Sequence, residues 1–180
     1  MEILLQKVCG KAANERIELR RCTPEQAPLL FALQNEVHAG MQHPEQFVTD
    51  DLASIAKDIR EGIAVGAWQG ERLGGYVVIH FCGQDPHNYA AFLGVPQSEW
   101  DHWANGNSAV VHPDWRGNGL QQKMVRYAMS FLPEQITHMG ATVSPDNAYS
   151  LNNALALGFE IRARREMYGG YDRYILAKKL

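Results

Sequence analysis

The stretch Val110-Val111-His112-Pro113-Asp114-Trp115-Arg116-Gly117-Asn118-Gly119-Leu120-Gln121 constrains the fold more than any other part of the chain. It opens as a β-branched run, breaks at a proline, turns through two glycines and enters a helical pattern. Leu120, Met124, Tyr127, Ala128 and Phe131 form one apolar face, with Gln121, Gln122, Lys123, Arg126 and Ser130 opposite, and Pro133 ends it. A strand thus hands the chain to a glycine-rich turn seated on a helix N-terminus. The first amides of a helix have no partner within it, and its dipole adds about half a positive charge there. Glycines at 117 and 119 let an anion approach the backbone closely, and Arg116 and Lys123 add charge-assisted donors. Two spaced glycines also fit a tight turn that needs only positive φ, so the loop alone leaves both uses open.

Composition narrows the rest. At 180 residues, 46% hydrophobic and 21% charged, the chain is expected to form a single domain, 1–180, around one substantial core. A net charge of −3 offers no general attraction to nucleic acid or to an anionic membrane. Three cysteines, Cys9, Cys22 and Cys82, have no metal-ligand spacing and fit a reducing, cytoplasmic setting without disulfides. No metal site is expected. No apolar run is long enough to span a bilayer, and Ile3-Leu4-Leu5 is too short for a signal core.

Taken in order, residues 1–15 read as either a short strand or a lead-in extension. Ile17 to Arg20 alternates as a half-buried strand does. Thr23-Pro24-Glu25-Gln26 starts a helix carrying Ala27, Leu30, Phe31, Leu33 and Val37, with Gly40 as its stop. Thr49-Asp50-Asp51 begins a second helix, with Leu52, Ile55, Ala56 and Ile59 on one side and Gly62 closing it. Ile63 to Trp68 and Leu73 to Phe81 read as a hairpin. Periodicity then fails, and 84–106 reads as a loop insertion whose aromatics, Tyr89, Phe92, Trp100 and Trp103, either line a pocket or bury the excursion. Ile136 to Val143 is a strand and Ser144-Pro145-Asp146-Asn147 leads into a helix with Leu151, Ala154 and Leu155. Leu157-Gly158-Phe159 ends that helix, and a hairpin closes the chain.

The 110–121 stretch resembles the central motif of the GNAT superfamily of N-acyltransferases: a strand, a proline, then Arg/Gln-x-x-Gly-x-Gly/Ala and a helix. Gln121 stands at the last Gly/Ala position. Asn147, the short helix after it and Leu157-Gly158-Phe159 resemble a second landmark of the same superfamily, in the right order. The resemblance covers about residues 16–180. It implies an α/β GNAT fold, with a mixed, largely antiparallel sheet flanked by helices and splayed central strands.

It also implies acyl transfer from acetyl-CoA to a primary amine. The implied coenzyme contacts are Val110 and Val111 along the strand, Arg116, Gly117, Asn118, Gly119, Leu120 and Gln121 at the pyrophosphate, and Asn147 with Ser150 on the pantetheine arm. Asn147 is equally suited to capping its helix. A base for the amine could come from Glu36, His80, Glu99, Asp101 or His112, none fixed by a motif. The tyrosine that the superfamily often places near the coenzyme sulfur is here Ala154, so either the thiolate leaves without a tyrosine donor, as a thiol's modest pKa permits, or a hydroxyl comes from Tyr168, Tyr171 or Tyr174. A non-catalytic acyl-CoA-binding module is the alternative. The acceptor is a small molecule or peptide amine, and a homodimer is left open.

Overall fold

Cys9 and Gly10 have φ of 49° and 73°, the two left-handed residues that a two-residue hairpin turn requires. They join β1 (Glu2–Val8) to β2 (Lys11–Arg21) in a computed structural model that describes residues 1–180. The segment left open between strand and lead-in is therefore an edge strand. Its pattern is faint because only Leu5 along it is fully buried.

The helix signals fall where the sequence puts them. A short 3-10 turn at Pro24–Gln26 leads into α1 (Ala27–Ala39), with the Thr23 N–H donating to Gln26 Oε1 at 3.0 Å. Helix α2 (Leu52–Glu61) is capped by Asp51, whose carboxylate accepts from the Ser54 N–H at 2.8 Å. The hairpin of β3 (Ile63–Gln69) and β4 (Arg72–His80) follows.

The segment expected as a loop from 84 to 106 ends sooner, because β5 (Trp103–Val111) begins at Trp103, inside that range. Trp103, Ala104 and Asn105 are all buried, so the alternation of a half-buried strand is erased where both faces are covered. The connection that remains holds a single helical turn, α3 (Tyr89–Phe92), and a 3-10 turn at Gln97–His102. Fully buried Asn88 fastens it, its Nδ2 donating to the carbonyls of Gly83 at 3.0 Å and Trp100 at 3.1 Å. Helix α4 (Leu120–Met129), β6 (His138–Val143), α5 (Ala148–Ala156), β7 (Glu160–Met167) and β8 (Tyr171–Lys179) complete the chain.

The eight strands form one sheet in the order β1-β2-β3-β4-β5-β6-β8-β7. Every neighbouring pair is antiparallel except β5 with β6. One face carries α4 and α5 over a core that includes Leu5, Val65, Trp115, Met124 and Leu176. The other carries α1 and α2 over Leu30, Leu33, Ile55, Ile59 and Val110. The parallel pair is short: it runs from Trp103 opposite His138 to Gly106 opposite Ala141 and stops. Beyond it β5 stays on β4 through Val111, while β6 stays on β8 through Val143. The sheet splits there, as the splayed strands of the resemblance lead one to expect.

Candidate active site

The loop after β5 is built to hold its own shape. Pro113–Trp115 makes a 3-10 turn and drives Trp115 into the core, fully buried. Gly117 and Gly119 have φ of 82° and 63°, and Gly119 is the N-cap of α4. No heavy atom lies within 4 Å of a Cβ placed at Gly119, and only the Lys7 side chain approaches one at Gly117. The glycines thus serve both readings at once, since they supply the left-handed backbone and leave the amides open to solvent.

Asn118 is spent differently. Its Oδ1 accepts from the Gln6 N–H at 2.8 Å and the Lys7 N–H at 3.1 Å, and its Nδ2 donates to the Lys7 carbonyl at 2.8 Å. That side chain straps the loop to β1, leaving only its main-chain amide for a ligand. Gln121 also turns away, its Oε1 accepting from Asn153 Nδ2 at 2.9 Å and so tying α4 to α5. The departure at the last Gly/Ala position therefore puts no bulk over the loop. Leu120 is buried beneath it, and Arg116 Nε donates back to the Val111 carbonyl at 3.3 Å.

The split in the sheet sets which groups of β5 are free. His112 N–H donates to the Gly74 carbonyl at 2.9 Å. Alternation along an antiparallel ladder turns the main-chain groups of Val110 toward β4 as well, and those of Ala109 and Val111 toward the gap. Of the two strand residues expected along the coenzyme, Val111 thus faces the gap, while the main chain of Val110 is turned to β4. Val110 instead contributes its side chain, 3% exposed, to the core beneath α1 and α2. Across the gap Asn147 caps α5, its Oδ1 accepting from the Ser150 N–H at 3.0 Å. Its Nδ2 makes no hydrogen bond, so capping leaves a donor to spare.

On the face of α1 and α2 a cavity of about 590 Å³ opens beside β5. Its walls include Asp50, Asp58, His80, Asn107, Glu166 and Tyr168. The segment between α1 and α2 is held down by Arg173 Nη2 donating to the Glu45 carbonyl at 2.7 Å and Gln46 Nε2 to the Asp146 carbonyl at 3.2 Å. His80 Nδ1 lies 2.8 Å from Asp58 Oδ1. Asn107 Nδ2 donates to the other carboxylate oxygen, Oδ2, at 2.9 Å. The Asp58 carboxylate, then the Cys82 side chain, push the imidazole up to about 10 against the opposing cost of burial. Ser108 Oγ donates to Asp50 Oδ2 at 2.9 Å. On the far wall the Tyr168 hydroxyl lies 2.8 Å from Tyr89 Oη and 2.9 Å from Thr142 Oγ1.

Of the base candidates, only His80 lines this cavity, and its proton is held too tightly for it to accept another near neutrality. Glu36 lies on α1 beside His112, with Oε1 at 3.2 Å from Nε2 and the carboxylate largely in solvent. Glu99 and Asp101 are exposed on the 3-10 turn before β5. Tyr171 is 41% exposed under the Arg173 guanidinium, while Tyr168 is the terminal tyrosine that reaches the cavity. The aromatics expected in the 84–106 insertion divide: Tyr89 and Phe92 line the cavity, whereas Trp100 bonds the Val95 carbonyl and Trp103, on β5, stacks on His138. Reading the sequence misses Asp50, Asp58 and Ser108. The one available signal is the Asp50-Asp51 pair, since a helix start needs a single capping carboxylate. No group of three or more His, Cys, Asp or Glu is placed to hold a metal ion. No helix is long and apolar enough to cross a membrane.

Residues 27–159 match the family model of the acetyltransferase (GNAT) family, and the chain belongs to that family. Acetyl-CoA is the acyl donor of that family. Solved structures share the fold. An acetyltransferase of GNAT family from Streptococcus pneumoniae superposes with a TM-score of 0.69 at 16% identity, over 91% of this chain and 99% of that one. The yncA protein of Salmonella typhimurium, solved with its cofactor acetyl-CoA, gives 0.65 at 15% identity over 92% and 94%. A ribosomal-protein-alanine N-acetyltransferase from Brucella melitensis gives 0.68 at 18% identity over 91% and 99%. At these identities the likeness is one of fold. A search of curated protein sequences finds no match to the chain.

Proposed function

We propose that the protein moves an acetyl group from acetyl-CoA to a primary amine. The observation that carries this reading is the course of β5. Asn107 and Ser108 of this strand face the carboxylates Asp58 and Asp50 of the cavity, and its end at Val111 opens into the glycine loop. Donor and acceptor sites therefore share one strand, at the place where the sheet splits.

Acetyl-CoA enters as a substrate. The amides of 117–121 would take its pyrophosphate, and the main chain of Ala109 with the Val111 N–H its pantetheine arm, as an added strand. Asn147 Nδ2 and Ser150 lie across the gap from that edge. The Val111 N–H would polarise the thioester carbonyl. The amine would come from the opposite face, drawn by Asp50, Asp58, Asp85 and Glu166 of the cavity, whose wall also carries His80 and His87. The free thiols of Cys9, Cys22 and Cys82 fit a cytoplasmic enzyme.

Gly119→Glu puts charge and bulk where the phosphate would sit, and Gly119→Ala imposes a similar left-handed strain, about 1–2 kcal/mol, without the charge. Calorimetric titration with acetyl-CoA should show a severe loss of affinity for the Glu variant and a much smaller one for Ala. Equal affinity in both would count against the anion site. Acetyl-CoA binding without thiol release across a panel of amines would instead mark a binding module.

A further inference from the structure

Gln34 is fully buried among the apolar side chains under α1. A buried amide has to find partners for all its polar atoms, and this one places both of them on the main chain of Asp50, with Tyr76 as a further donor. Its Nε2 donates to the Asp50 carbonyl, and its Oε1 accepts from the Asp50 N–H at 3.3 Å and from the Tyr76 hydroxyl at 3.4 Å. The main chain of Asp50 is thus gripped on both sides of the residue. Its carboxylate has no part in the helix start, because Asp51 caps α2. It turns into the cavity instead, where Ser108 of β5 fixes it from below.

Resting on the transferase reading above, we propose that Asp50 is the base that takes the ammonium proton of the acceptor amine, with Gln34 and Ser108 as its positioning residues. A primary amine with a pKa near 10 costs roughly 4 kcal/mol to deprotonate at neutrality, so a placed base raises the rate. The carboxylate accepts one ammonium proton, and the freed nitrogen lone pair attacks the thioester carbon. The C–N bond forms and the C–S bond breaks, and the proton then shed by the acylated nitrogen goes to the departing thiolate. The products are the amide, free coenzyme thiol and a protonated Asp50, which returns its proton to water.

Asp50 suits the task better than its neighbours. Burial pushes its carboxyl above the usual range; the Ser108 hydrogen bond works against this, Asp58 and Asp51 add to it, and His80 opposes it. The titratable groups that face it are Asp51 at the cap of α2, Asp58 on α2 and Tyr76 and His80 on β4, with Cys82, Asp85, His87, Tyr89, Glu166 and Tyr168 around the cavity.

The test uses the full chain with acetyl-CoA and three probe amines: spermidine, benzylamine and lysinamide. Asp50→Asn should bind acetyl-CoA as the wild type does yet lose about 100-fold or more in kcat. Ser108→Ala removes the bond that lowers the Asp50 pKa, so the acid limb of the kcat/KM profile should move to higher pH. Ser108→Thr, which keeps the hydroxyl, should return it. Asp50→Asn turning over like the wild type, or an acid limb unmoved in Ser108→Ala, overturns the assignment of Asp50 alone. A wild-type protein that releases thiol with none of the three amines overturns the transferase reading beneath it.

Discussion

At the scale of the residue, the His80–Asp58 pair decides what the cavity can do near neutral pH. An imidazole raised to about 10 stays cationic where a free histidine, near 6.5, has lost its charge. The folded value exceeds the unfolded one. The pair therefore adds stability fully below about 6.5, and that contribution drains away as the pH climbs through the folded value. NMR titration of the ring should show His80 protonated at pH 8. In Asp58→Asn, which removes the largest cause, the transition should fall back toward the free range. A wild-type ring that titrates near 6.5 would refute the pairing. Histidine is a residue type that invites such a role, so His80 stood out in the sequence, whereas its partner did not. Asp58 reads there as one more polar position on α2, and only the packing of α2 on β4 brings the two together. Asp50 was hidden for the same reason, since Gln34 and Ser108 reach it from a different helix and a different strand.

At the scale of the element, the glycine loop leans on strands remote from it in sequence. A Cβ at Gly74 would lie 2.1 Å from the Trp115 ring, so this glycine in the middle of β4 exists to seat the tryptophan. Arg72 on the same strand pairs with Asp114 at 2.9 Å, and the Cys9 N–H donates to the Asp114 carbonyl at 2.8 Å. Gly74→Ala should cost about 1–3 kcal/mol, the usual range for overpacking, and should also weaken acetyl-CoA binding by shifting Trp115 and the loop behind it. Urea unfolding and a coenzyme titration on the same variant check the two effects together, and full stability with full binding would show that the seat is dispensable. Elements bounded by Pro, Gly or a capping Asp were legible in the sequence: both N-terminal helices, the β3–β4 hairpin and α4 fall as their punctuation predicts. The start of β5 and the whole of β1 were not. Burial on both faces hides the former, and the latter is an edge strand stitched down by Asn118, whose role in the sequence looked like that of a loop residue.

At the scale of the whole molecule, the sheet separates the glycine loop from the carboxylate-lined cavity. The glycine loop leads into α4, which packs on one face, and the carboxylates reach the cavity from α2 on the other, with the split between β5 and β6 joining the two sides. A thioester laid along the Val111 edge would present its carbonyl through the gap to an amine waiting beside Asp50. Nothing in that geometry requires the acyl group to rest on the protein. The nucleophile that could intercept it is Cys82, a free thiol in the cavity wall whose Sγ accepts from Asn105 Nδ2 at 3.0 Å. Direct transfer and an acyl-cysteine route separate cleanly in the kinetics. With both substrates bound at once, double-reciprocal plots against acetyl-CoA at several amine concentrations intersect, and they should still do so in Cys82→Ala. Parallel lines, together with the loss of turnover in Cys82→Ala and a mass increase of one acetyl group on the wild-type chain, would move the acyl group onto the thiol and reduce the split sheet to a passage between two separate half-reactions.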